Sequence, residues 1–181
     1  MLKVPPPHQM AITAACVALN LAVGTIANLL SLPLSLDTIG SLTGAALLPP
    51  ALAIAVGAIT AVLGWAVINP VYPYYIGTQI SVVIAALAVM RLIGFDRLWK
   101  AVILGAVVAI VAVLVSAPVT VLVFGGATVP AMTANNAVPI ASEQSIWSAV
   151  TIGGLLIEFA DKLVVALIAW ALVRRRLRGS A

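Results

Sequence analysis

Charge is the scarcest property of this 181-residue chain: 8% of its residues are Asp, Glu, Lys or Arg, whereas 64% are hydrophobic. Soluble domains carry about 25% charged residues, so water is excluded as the main solvent. The apolar runs are longer than ordinary core helices, and the fold expected is an all-α integral membrane protein. Polar and apolar residues do not alternate as a β-barrel requires. The single cysteine, Cys16, rules out an intrachain disulfide and a Cys-rich metal site, and it reads as a small buried residue. The single histidine, His8, precedes the first apolar run, which excludes His-based acid–base chemistry within the membrane. No His/Cys set exists to bind a metal. P-loop, G-x-S-x-G and H-E-x-x-H patterns are missing. No catalytic residue, cofactor or enzymatic activity is therefore expected, and any ATP hydrolysis by the P-loop route belongs to other chains.

The charges that are present follow membrane topology. The net charge is +4, but Arg91, Arg97 and Lys100 flank one short loop, and Arg174, Arg175, Arg176 and Arg178 follow the last apolar run. That distribution is not a nucleic-acid-binding patch. The spans expected are about 9–30, 36–48, 50–68, 75–93, 101–124 and 148–173, within one transmembrane domain covering 1–181. The first is read as a retained span rather than a cleaved signal, because its run is long and Asn20 and Asn28 interrupt it. The second is short, since 13 residues rise only about 20 Å as a helix. Charge argues for it: with 36–48 spanning, eight of the nine Lys/Arg face the cytoplasm, as do both termini. A six-helix bundle is the expectation. Pro49-Pro50 suits a tight turn before the third helix.

Three features stand out. On the first span Ala11, Ala15, Ala18 and Ala22 align, and Ala14 adds a second small-residue pair with Ala18; such a strip lets another helix approach closely. Packing within the chain's own bundle is the alternative, and it is the reading given to Gly40/Gly44 and Gly57/Gly64. The second feature is an outer polar and aromatic group. Tyr72, Tyr74, Tyr75 and Trp147 are candidates to stack a flat ring, and Asp37, Gln79, Asn135, Asn136, Glu143 and Gln144 to supply hydrogen bonds. Interface anchoring by the aromatics and helix capping by Asp37 and Glu143 compete with that reading. The third is "IEFADKLVVALIAW", where Glu158, Asp161 and Lys162 share one helix face by their i, i+3, i+4 spacing. Ionisable groups in a span must face a bundle interior or a wet cavity. A substrate contact and a structural ion pair both satisfy that.

These residues together resemble the S component, the substrate-binding membrane subunit, of energy-coupling-factor (ECF) transporters of the ABC type. The likeness covers nearly the whole chain and rests on size, the six spans, the helix-one strip, and the stretches "LPLSLDTIGSLTGAALLPP" and "EFADKLVVALIAW". It implies capture of a small vitamin-like substrate in the outer half of the bundle, near Asp37, Tyr72–Gln79, Asn135–Trp147 and the outer part of the last helix. It also implies contact between Ala11, Ala14, Ala15, Ala18 and Ala22 and a transmembrane coupling subunit, with ATP hydrolysed by separate ATPase subunits. Such a protein resides in a prokaryotic cell membrane. A membrane sensor or scaffold, or a stand-alone carrier using the Asp161/Glu158 face for protons, are the rival roles.

Overall fold

The computed structural model describes residues 5–126 and 145–179, with side chains as far as 174. The described residues form α1 (Pro7–Leu29), α2 (Ile39–Leu47), α3 (Pro50–Val67), α4 (Ile76–Ile93), α5 (Leu98–Phe124) and α6 (Ile146–Gly179), with a 3-10 turn at Tyr72–Tyr75 leading into α4. No strand occurs among them. The boundaries follow local chemistry. Pro7 and Pro50 occupy first-turn positions, where the missing N–H costs nothing. Gly94 (φ 80°) and Gly125 (φ 60°) end α4 and α5 in a conformation that side chains resist. Ser145 starts α6: its hydroxyl accepts the Ser148 backbone N–H at 3.2 Å, satisfying a donor the helix leaves open.

Pro7–Leu29, Pro50–Val67, Tyr72–Ile93 and Leu98–Phe124 are long and apolar enough to cross a bilayer, which makes this a multi-pass membrane protein. Its packing is that of a chain solvated by lipid. Large side chains point outward, with Leu92 83% and Leu122 75% exposed, while the buried side of α5 is mostly Ala, Val and Gly. Without water to expel, helices in lipid associate by close van der Waals contact, which small residues permit.

α1 and α3 run parallel. Near their C-terminal ends the Asn28 amide donates to the Ile68 carbonyl at 3.0 Å, while Ile12, Leu48 and Leu52 join one apolar cluster near their starts. The chain between them must therefore return along the bundle. It does so as an irregular link followed by α2, so the second expected span, 36–48, is helical only over Ile39–Leu47. Only nine of its residues are helical, about 13 Å of rise, less than half the hydrocarbon thickness of about 30 Å. Leu36, placed inside that span, sits at φ 52° in the link. α2 is not an independent lipid-facing span. Residues Ile39 to Ala45 are all buried, and α2 packs against α1, α3, α4 and α6.

Asn20 locks this central helix in place. Its side-chain oxygen accepts the Gly40 backbone N–H at 2.6 Å, and its amide donates to the hydroxyls of Ser41 at 2.9 Å and Thr60 at 3.0 Å. One fully buried side chain thus ties α1 to α2 and α3. The Gly pairs read as internal packing positions are indeed buried. At Gly40 an added Cβ would lie 1.9 Å from the Cys16 carbonyl oxygen, so glycine is what lets α1 and α2 meet.

Candidate ligand-binding cavity

The cavity is built where α1 and α3 end, α4 begins and α5 and α6 pass. The link after α1 enters the bundle rather than skirting it. Two of its residues, Ser31 (φ 50°) and Leu36 (φ 52°), adopt left-handed backbone, which non-glycine residues hold only when their surroundings enforce it. For Leu36 the enforcing group is Asp161 on α6, which accepts the Leu36 N–H at 2.8 Å and the Ser35 hydroxyl at 3.3 Å. The following residue, Asp37, is consequently directed across the bundle. Its carboxylate accepts the Gln79 side-chain amide at 2.6 Å. No side chain caps α2, so the capping alternative for Asp37 is not realised.

Behind the link lies a cavity of about 390 Å³, whose walls include Asp37, Tyr72, Tyr75, Gln79, Glu158 and Lys162. That volume falls at the small-molecule end of the range for ligand pockets, about 300–1,000 Å³. Its walls also carry Asn28, Ser31, Asn69, Thr78, Ser116 and Thr120. Tyr72 fits because α3 has Gly64 opposite it, where an added Cβ would lie 2.5 Å from the ring. Tyr75 is fixed by a 2.9 Å hydrogen bond with Thr120 and by parallel stacking on Phe124, centroids 6.1 Å apart.

The ionisable trio on α6 does two things at once. Lys162 Nζ lies 2.5 Å from Asp161 and 3.1 Å from Glu158, and all three residues are buried. Asp161 faces away from the cavity into the link. Glu158 and Lys162 line the cavity. The Glu158–Lys162 approach is an ion contact without hydrogen-bond geometry, which leaves Glu158 Oε2 with no hydrogen-bond partner. The buried atoms Thr38 Oγ1, Thr78 Oγ1 and Gln79 Oε1 share that state, and all four residues line this same cavity. Buried polar atoms in a folded chain are ordinarily paired, so this wall presents a set of unmet hydrogen-bonding groups to whatever fills the cavity.

The structure therefore brings together Asp37, Tyr72, Tyr75, Gln79, Glu158 and Lys162, and places Asp161 directly behind them. Trp147 does not join: it is 47% exposed at the start of α6 and is not among the lining residues. Tyr74 packs edge-on against Phe124, 5.2 Å between centroids. Asn135, Asn136, Glu143 and Gln144 lie outside the described residues. Thr38, Thr78 and Thr120 were missed by sequence reasoning, and their one available signal was a hydroxyl interrupting an apolar run. Among the described residues no group of His, Cys, Asp and Glu could hold a metal ion.

A second surface lies on the outside of α1. Ala11, Ala14, Ala15, Ala18 and Ala22 are all exposed, while Cys16, Val17, Asn20, Gly24 and Ala27 face the bundle. The alternative that the alanines pack inside the chain's own bundle is thereby removed. Comparison with protein-family models, curated proteins and solved structures finds no match to this chain.

Proposed function

We propose that this chain is a substrate-capturing membrane subunit of the S-component kind, which binds a small vitamin-like molecule and hands it to an ATP-driven module formed by other proteins. The observation that carries the reading is the cavity: small, walled by two tyrosines, and lined by four buried polar groups with no hydrogen-bond partner. Such a constellation suits a compact solute with several polar groups. The wholly exposed alanine strip on α1 supports the second half of the reading. A smooth strip on one outer face suits a reversible contact with the helices of a coupling subunit.

In this reading the chain makes six passages, the second being the link plus α2. Both termini are cytoplasmic, because Arg91, Arg97, Lys100 and Arg174 gather at the end of the bundle away from the cavity. The cavity then opens toward the outside of a prokaryotic cell membrane. The chain binds without reacting, and needs no cofactor.

The test is release of small molecules from the protein purified in mild detergent. The expected result is one metabolite, near one per chain, identified by mass spectrometry after denaturation. A folded protein that carries nothing, and takes up nothing from a deproteinised yeast extract, overturns the reading.

A further inference from the structure

We infer that the cavity selects an organic cation, a small donor-rich molecule whose positively charged nitrogen is held by the carboxylates of Asp37 and Glu158. This deepens the reading above and rests on the cavity being a ligand site.

The argument begins with charge. Among the described residues, three buried carboxylates, Asp37, Glu158 and Asp161, face a single buried ammonium, Lys162. Asp161 is fully engaged: one oxygen takes the Leu36 N–H, and the other takes the Ser35 hydroxyl and Lys162. Lys162 is shared between Asp161 at 2.5 Å and Glu158 at 3.1 Å, so one ammonium serves two carboxylates and Asp37 has no cation of its own. Asp37 and Glu158 remain on the cavity wall, and among the described residues no Lys or Arg besides Lys162 lines it. A neutral or anionic occupant leaves that negative charge uncompensated in a medium that penalises it heavily. A cation supplies the missing charge.

The hydrogen-bonding pattern points the same way independently. Gln79 is 6% exposed, and its NH2 is committed to Asp37, so the atom left without a partner is its carbonyl oxygen. An amide carbonyl can only accept. Glu158 Oε2 meets Lys162 only as an ion contact, 3.1 Å away, and shares that ammonium with Asp161. An unmet carbonyl beside an under-compensated carboxylate favours donors from the occupant, as a protonated amine, an amidine or an amino-substituted heterocycle provides. Tyr72 and Tyr75 add aromatic walls, and aromatic faces attract cations.

The experiment incubates the purified protein with the small-molecule fraction of a yeast extract and removes unbound material by gel filtration. What is retained is identified by accurate mass and by its electrophoretic mobility at pH 7. The expected species carries a protonated or quaternary nitrogen, and Glu158→Gln retains at least tenfold less of it. Asp37→Asn is the parallel variant and serves if Glu158→Gln lowers the melting temperature. A retained molecule that is neutral or anionic overturns the charge selection while leaving the cavity as a ligand site. Undiminished retention by both folded variants also overturns it. Retention of nothing by the unaltered chain overturns the underlying reading as well.

Discussion

Asp161 on α6 accepts the backbone N–H of Leu36, 125 residues earlier in the chain, across 2.8 Å. A carboxylate in the middle of a helix thus holds the left-handed residue that aims Asp37 at Gln79. Asp161→Ala should remove both this bond and the partner of Lys162. Breaking a buried pair by removing one member costs about 3–5 kcal/mol. Thermal unfolding in detergent should show that loss. Asp161→Asn, which keeps an acceptor for Leu36, should lose less. Equal melting of Asp161→Ala and the unaltered chain would refute this role.

Asn20 should be nearly as costly to remove. Asn20→Ala leaves the buried Gly40 N–H and the Ser41 and Thr60 hydroxyls without this partner. Each buried group left unsatisfied costs about 1–3 kcal/mol. The expected outcome is a clearly lower melting temperature, with faster proteolysis in the link before α2.

Two glycines should respond in opposite ways. Gly40→Ala places a methyl group 1.9 Å from the Cys16 carbonyl, so α1 and α2 must separate and the yield of folded protein should fall sharply. At Gly154 an added Cβ meets nothing within 4 Å. Gly154→Ala should stabilise α6, by about 0.5–1 kcal/mol from backbone entropy. Paired melting curves of the two variants check both.

Substitutions on the exposed strip should spare the fold and the cavity. Ala18→Leu adds bulk to an outward face, so melting and retention of the cavity ligand should stay as they are. The proposed association with a coupling subunit should fall, read as less of any ATPase subunits that co-purify with the unaltered chain from native membranes. Unchanged co-purification would remove the strip from the partner contact.

The loop joining α4 to α5 carries a pH signature. A hydrogen bond from Lys100 holds the Asp96 carboxyl below its ordinary range, with further help from backbone hydrogen bonding and from Arg97 nearby. A depressed carboxyl contributes stability above its unfolded pKa of about 3.9 and loses it as pH falls through the lower folded value. Asp96→Asn should therefore melt slightly below the unaltered chain at pH 7, and the gap should close on acidification below pH about 4. The effect should be small, because the Asp96 side chain is 55% exposed and solvent screens such pairs.

How much of this was legible in the sequence depends on the reach of each interaction. The shared face of Glu158, Asp161 and Lys162 follows from helical spacing, and all three are buried as that spacing implies. The division of labour among them does not, because two of Asp161's partners, Ser35 and Leu36, lie more than a hundred residues away. Asp37 and Gln79 could each be singled out as polar groups near helix ends, but their bond spans 42 residues and no local pattern announces it. Asn20 was visible only as a blemish in an apolar run. Its interruption of the run argues only for a retained span, and no local pattern names its partners on α2 and α3. Trp147 lies outside the cavity lining, and its sequence position does not reveal that, because an aromatic at a helix start serves an interface and a pocket equally well. The short α2 was overestimated because its flanking apolar residues, Leu36 among them, belong to the link.

The unequal helix lengths give the bundle a slanted collar. α3 and α4 each have 18 residues, about 27 Å of rise, whereas α5 has 27 residues, about 40 Å. α4 packs between α3 and α5, so the short and tall flanks sit side by side. A bilayer of uniform thickness can match one flank only by tilting the protein or by thinning beside the other. Membrane thickness thereby becomes a variable that sets the inclination of the protein, and with it the angle of the alanine face of α1 to the membrane plane.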